Sequence, residues 1–459
     1  MKKRARFPRP RARSGYLAVT LVVVGPLLLP TMDGTASATS LGDPDPEIPV
    51  TYARDIAPIL QRSCQICHNP QGIGPMSLMS YEEVRPWARV IKLRVEERVM
   101  PPWHLDRTVG IQDYENDISL SDEQIATIAE WVEMGALEGD PNDLPAPLAL
   151  PDPDAWAAEA DMGRPPDLVI RSEPHLVKAR SMDSWPTPSS EFDALDRPRW
   201  VMAAEFKPLG VAGRRVAHHG HLQLVQTERD GRRTVKGLAR HGVGKSYDVY
   251  PEGTGMYLEP GGTLSWNLHY AAIGEDVEAV VEVGLWFHPE DEPPAMQTLG
   301  EQRFTAGSPD WGHDIVIAPH SVRVQQGTYV LDRAAMIATF RAHMHMRGRE
   351  QSLEVIYPDG RRELLSKTDR YDHLWQLQYQ YADHAIPLLP KGSVLLITTT
   401  FDNTAENPRN PDPDQWVVFG QRGVDEMAHA WLGLTYLTDE QYEEAMAQRR
   451  ADASSVAND

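Results

Sequence analysis

The sequence predicts a multidomain chain, with a small all-α region in front of one or two antiparallel β-sandwiches. Three observations point there. At 459 residues the chain is about three domains long. Helical apolar spacing flanks a Cys-x-x-Cys-His motif near the front. Beyond a stretch rich in Pro, Asp and Ala, short β-branched and aromatic runs recur between turn signals, with no long helix expected before about Asp439.

The first fifteen residues are basic (Lys2, Lys3, Arg4, Arg6, Arg9, Arg11, Arg13). The mostly apolar run Tyr16–Pro30 and the small-residue pattern Ala36-Ser-Ala38 follow. This order of basic, apolar and small segments reads as a secretory signal peptide over 1–38 and sends the mature chain to the periplasm or outside the cell. Pro26, Pro30 and the short apolar core argue against a stable membrane span. The formal charge is −21. Such an acidic surface repels phosphate backbones, so nucleic acid is excluded as a partner class. Only two cysteines exist, Cys64 and Cys67. An exported chain without a disulfide framework must hold its fold by core burial.

Cys64-Gln-Ile-Cys67-His68 is a c-type haem attachment pattern: two thiols for thioether bonds and an imidazole for the iron. Ahead of it, Tyr52–Leu60 places Ile56, Ile59 and Leu60 on one helical face. Ser121 with Gln124 three residues on forms a capping signature for a second helix striped by Ile125, Ile128, Ala129 and Val132. Residues 45–140 resemble the small helical cytochrome c domain. Met100, in Met100-Pro-Pro-Trp103, resembles its methionine loop and is the expected sixth ligand; His104, Met76 and Met79 are rivals. A His/Met haem moves electrons and is closed to substrate.

Residues 141–166 read as a semi-rigid linker, with Pro145-Ala-Pro147, Pro151-Asp-Pro153 and Arg164-Pro-Pro166. In the β-rich remainder, His343 and His345 follow Met336-Ile-Ala-Thr-Phe340. On an extended chain residues i and i+2 share a face, so these two imidazoles lie side by side. A second group is His218-His219-Gly-His221 with His269 in Leu268-His269-Tyr270. On a regular strand His219 and His221 share a face and His218 does not, so a site using both members of the adjacent pair needs a distorted strand, which Gly220 makes feasible.

These motifs, with His343-Met-His-Met-Arg-Gly348, Phe401-Asp-Asn-Thr-Ala-Glu-Asn-Pro408 and Asp425-Glu-Met427, resemble the copper type II, ascorbate-dependent monooxygenases. This is the family of the peptidylglycine α-hydroxylating and dopamine β-monooxygenases. The resemblance runs from about Asp167 to Leu437 and implies two jelly-roll sandwiches, 167–310 and 311–438, ahead of a tail at 439–459. It also implies two copper ions, well apart. An electron-transfer copper would be held by His218, His219 and His269, with His221 as rival to His218. An oxygen-binding copper would be held by His343, His345 and Met427. Imidazole suits both copper oxidation states, and a thioether favours Cu(I). The family's disulfides are absent, and the polar, turn-rich stretch 181–197 has no counterpart. His175, His241, His288, His313, His320, His373, His384 and His429 have no motif role.

The expectation is therefore an exported haem- and copper-dependent monooxygenase. It would hydroxylate a C–H bond of a small organic substrate with O2, the haem relaying electrons from a periplasmic donor. The alternative is a periplasmic electron-transfer or copper-binding cytochrome without oxygenase activity.

Overall fold

Alternating apolar and polar residues drive most of the chain beyond Leu168 into strands, and the apolar faces pair sheet against sheet. The structure, a computed structural model, describes residues 49–456 apart from 149, 151, 153, 228–230, 243, 244, 246, 308–313 and 376. The expected signal segment and His313 lie outside the described residues.

One ten-stranded sheet runs in the order Leu168–Arg171, Val281–Phe287, Arg199–Pro208, Thr254–Leu258, Met296–Thr305, His429–Leu437, Ala334–His343 and Tyr379–Gln380. Asp248–Val249 and Leu388–Leu389 attach beside this path. Two four-stranded sheets complete the layers. One is Ser189–Glu191, Thr263–Tyr270, Ala217–Thr227 and Arg233–Gly242; the other is Val322–Val330, Val394–Asp402, Gly348–Ile356 and Arg362–Thr368. Leu222, Leu224, Leu264 and Leu268 of the first meet Val201, Phe206, Val283 and Leu285 of the large sheet. Leu353, Val355, Leu395 and Ile397 of the second meet Phe340, Leu432 and Leu434. Each such side chain contributes about 1.5–3 kcal/mol by leaving water.

The large sheet joins the two halves. Met296–Thr305 lies inside the stretch expected as the first sandwich, yet pairs antiparallel with His429–Leu437 of the second. Its start pairs parallel with Thr254–Leu258. At this seam Glu301 is buried among Arg341 (2.8 Å), Arg240 (3.2 Å) and Lys245 (3.7 Å), and Arg240 lies 3.8 Å above the Trp431 ring. A buried carboxylate needs such partners.

The expected fold class is corrected here. Pro49–Asp459 is one compact unit, the chain is mostly β, and no separate all-α cytochrome c domain occurs among the described residues. The local helix signals do act. Ala57–Ser63, Ala88–Glu96 and Asp122–Glu133 share a core of Leu60, Ile91, Val95, Ile128 and Trp131. The capping box forms, Ser121 N–H donating to Gln124 Oε1 at 3.0 Å and Gln124 N–H to Ser121 Oγ at 3.2 Å. But the segment between the last two of these helices leaves them for the β core. Trp103 and Leu105 are buried against Tyr379 and Leu365 there. Leu105 bridges Thr368 and Tyr114 bridges Tyr381. Apolar residues in that connection find their burial on the sheets, so the helices cannot close off as a domain of their own.

Candidate metal centre

Cross-strand register builds the first group of candidate ligands. His219 on Ala217–Thr227 lies directly opposite His269 on Thr263–Tyr270, and the pairing slips between Ala217 and His219. His218 is the extra residue of that bulge, which bends the strand and re-aims the side chain. Nitrogens of His218, His219 and His269 consequently lie within 4.8 Å of one another. His219 Nε2 and His269 Nδ1 are 3.1 Å apart, and the His218 and His269 rings are 5.0 Å apart. His218 Nδ1 is buried without a hydrogen-bond partner. A buried polar atom left unpaired is costly, and a metal ion would satisfy it. Burial pushes the His218 pKa down to about 4 and His219 well below its usual value, so both rings keep free lone pairs at neutral pH. His221 is outside this group. It lies in the field of Arg240, Arg341 and Glu301. Gly220 serves a close approach, since a Cβ there would stand 2.8 Å from Phe206 Cζ.

The second group stands where the Ala334–His343 strand ends. The His343 and His345 rings are 5.4 Å apart and nearly perpendicular. His345 Nδ1 lies 3.1 Å from the Asp425 carbonyl, which accepts its proton and leaves Nε2 for a metal. The Glu426 carboxyl group, pushed up to about 8 by burial, ties this loop to Met427. Its Oε2 accepts the backbone N–H of both His345 (2.9 Å) and Met427 (3.3 Å), and its Oε1 that of Arg347 (2.6 Å). Two N–H groups on one oxygen hold His345 and Met427 side by side. Arg347, buried, donates to Asn403 Oδ1 (3.0 Å) and the Val424 carbonyl (2.8 Å). Asn407 donates to the Met346 carbonyl at 3.2 Å. The Phe401–Pro408 motif thus props the ligand loop. Gly348 is required, because a Cβ there would meet Met344 Cβ at 2.3 Å.

The two groups, expected well apart, are neighbours: the His219 and His343 rings are 6.4 Å apart. Sequence reasoning missed several surrounding residues. His429 stacks on His343 at 6.0 Å and 9°, with Thr305 Oγ1 3.1 Å from its Nδ1. His373 is close enough to His218 and His345 to lower the pKa of each. Tyr371 donates its hydroxyl to the Met344 carbonyl (2.9 Å) and accepts the Met344 N–H (3.1 Å), between the two ligands of the second group. Asp183 and Trp185 contact His269 from the stretch that had no counterpart. No sequence motif marks any of these, because each acts through a partner distant along the chain.

At the haem motif, the chain turns tightly after Ala57–Ser63, with His68 N–H donating to the Cys64 carbonyl at 2.9 Å. Both cysteines are free thiols, and burial pushes Cys64 up to about 12. His68 Nδ1 donates to the Met76 carbonyl at 3.1 Å, leaving Nε2 for an iron. A Cβ at Gly74 would stand 2.6 Å from His68 Nδ1. The residue types and the His68 orientation fit a c-type haem. Met100 lines a cavity with Val95, Leu120, Ile125 and the arginines Arg98, Arg107 and Arg370. Of its rivals, Met76 orients His68 through its carbonyl, and Met79 N–H donates to Glu83 at 2.9 Å. His104 is buried in the field of Asp372 and Arg370. This region touches the histidines' neighbourhood twice. Arg214, four residues before His218, donates to the Gln71 carbonyl at 3.3 Å. Asp369 N–H donates to the His104 carbonyl at 3.1 Å, at the start of the strap that carries Tyr371 and His373.

Among the described residues no helix is long and apolar enough to cross a membrane. No family model and no curated protein matches the chain. Among solved structures, the PBSX exported protein XepA is similar at 9% identity over 51% of this chain and 86% of its own, with a TM-score of 0.17. The tandem CBM22 domains of Paenibacillus barcinonensis Xyn10C share 9% identity over 59% and 93%, TM-score 0.16. An oxalate decarboxylase of Bacillus subtilis shares 9% over 65% and 86%, TM-score 0.13. Likeness at this level carries no inference about fold or chemistry.

Proposed function

We propose that the chain is an exported copper-dependent monooxygenase with a covalently attached c-type haem, hydroxylating a C–H bond of a small organic substrate. The observation that carries this reading is the gathering of His218, His219 and His269, with ring nitrogens within 4.8 Å of one another, and with His343 and His345 alongside. His218, His219 and His269 would hold one copper; His343, His345 and Met427 would hold the other; Cys64, Cys67, His68 and Met100 would hold the haem. Bound copper would supply one-electron chemistry with O2, and the haem would receive electrons from a periplasmic donor.

The chain's own residues do the rest. Buried neutral imidazoles present lone pairs without first losing a proton. The Met427 thioether biases its set toward Cu(I). Glu426 and Arg347 keep the backbones of His345 and Met427 together. The strap from Asp369 to Leu374 links the Met100 side to both histidine sets, which favours an electron donor housed in the same chain.

The test is metal analysis of the exported protein followed by aerobic turnover of the reduced, copper-loaded form with candidate substrates and labelled O2. Two coppers and one covalent haem per chain, with label in the product, are expected. Copper without label in any product would make the chain an electron-transfer protein; no copper would end the proposal.

A further inference from the structure

We propose that Asp183 is a positioning residue that sets His269 for metal binding, a role resting on the metal reading of the three-histidine set. Asp183 Oδ2 lies 2.9 Å from His269 Nε2. A carboxylate accepts, so Nε2 carries the proton and Nδ1 keeps its lone pair. That Nδ1 is the nitrogen 3.1 Å from His219 Nε2, inside the cluster. The charge behind the ring also makes Nδ1 a stronger donor, as outer partners of metal-bound histidines do.

The backbone makes this geometry firm. Ser184 and Tyr270 exchange both N–H···O bonds, each at 3.0 Å. Leu268 and Trp266 then donate to the Pro186 and Pro188 carbonyls at 3.1 and 3.0 Å. The stretch runs extended beside Thr263–Tyr270 into the edge strand Ser189–Glu191, and its two prolines, which have no N–H, meet that strand through their carbonyls alone. Trp185 stacks on the His269 ring at 4.6 Å and 13°. On the far side of Tyr270, His175 stacks at 5.4 Å and places Nε2 3.1 Å from Ser184 Oγ. The imidazole is thus gripped at its edge by Asp183 and on its face by Trp185.

The test compares the full chain with Asp183→Asn, Asp183→Ala and Asp183→Glu. Copper affinity is measured by chelator competition, the copper spectrum by EPR, and the His269 tautomer by nitrogen NMR of histidine-labelled, metal-free protein. Affinity should fall roughly 10–100-fold in the Asn and Ala variants, with partial recovery in Glu. The metal-free melting temperature should hold, and the tautomer should pass from Nε2–H to a mixture in Ala. Variants binding within about twofold of the parent would overturn the role, as would a loss of affinity matched by loss of metal-free stability. If the parent binds no copper, the metal reading falls, and the tautomer measurement alone decides whether Asp183 sets the ring.

Discussion

The three-histidine set is built inside a sheet, whereas His343, His345 and Met427 stand where a sheet has run out. In the first, ladder hydrogen bonds fix His219 opposite His269, and one bulged residue brings in His218. In the second, the last paired residues are His343 and His429. Beyond them the buried Glu426 carboxyl group and the buried Arg347 guanidinium replace the ladder. A site framed by register has its ligand backbones held by the ladder, and an outer side chain such as Asp183 acts on the ring it touches rather than on the frame. A site framed by side-chain clamps depends on each clamp.

The largest effects should come from breaking one set and reading the other. Met427→Ile removes the thioether while keeping an apolar side chain of similar bulk. Oxygen-dependent turnover should fall more than about 100-fold, beyond the cost of losing an outer partner, with haem reduction unchanged. Surviving turnover would dismiss Met427 as a ligand. His269→Ala should lower copper from two per chain to one, since His269 touches only the first set. Loss of both would show that the 6.4 Å approach of His219 and His343 makes them a single site.

Glu426→Ala probes the clamp. It strands three backbone N–H groups, each costing about 1–3 kcal/mol when buried and unpaired. A loss of about 3 kcal/mol or more in denaturant unfolding is expected. Copper affinity should weaken at the second set and hold at the first. Equal weakening at both would erase the contrast between ladder-framed and clamp-framed sites.

That contrast also explains what the sequence discloses. Short-range signals are legible: the Ser121–Gln124 capping box, and the need for a distorted strand if His218 and His219 share a site. Long-range pairings are not. The span 181–197 reads as polar and turn-rich, yet Ser184 to Glu191 runs beside Thr263–Tyr270 and brings Asp183 to His269. His373 and His429 are isolated along the chain and acquire neighbours only through folding. The separate helical domain fails as an expectation for the same reason. Helical periodicity between 52 and 133 is genuine, but Trp103, Leu105 and Tyr114 take their burial from strands more than two hundred residues away.

The smallest predicted change is the most discriminating. Tyr371→Phe deletes one oxygen that both accepts the Met344 N–H and donates to the Met344 carbonyl. The two backbone groups lie between His343 and His345, so losing their partner costs about 1–2 kcal/mol and frees the link between those ligands. Copper affinity at the second set should drop by about tenfold, one decade per 1.4 kcal/mol, while the first set, held by its ladder, stays unchanged. Tyr371 belongs, however, to the strap whose Leu374 backbone is close enough to His218 to act on its pKa. If the substitution weakens both sets alike, the strap rather than the ladder sets His218, and the two sites share one support despite their different frames.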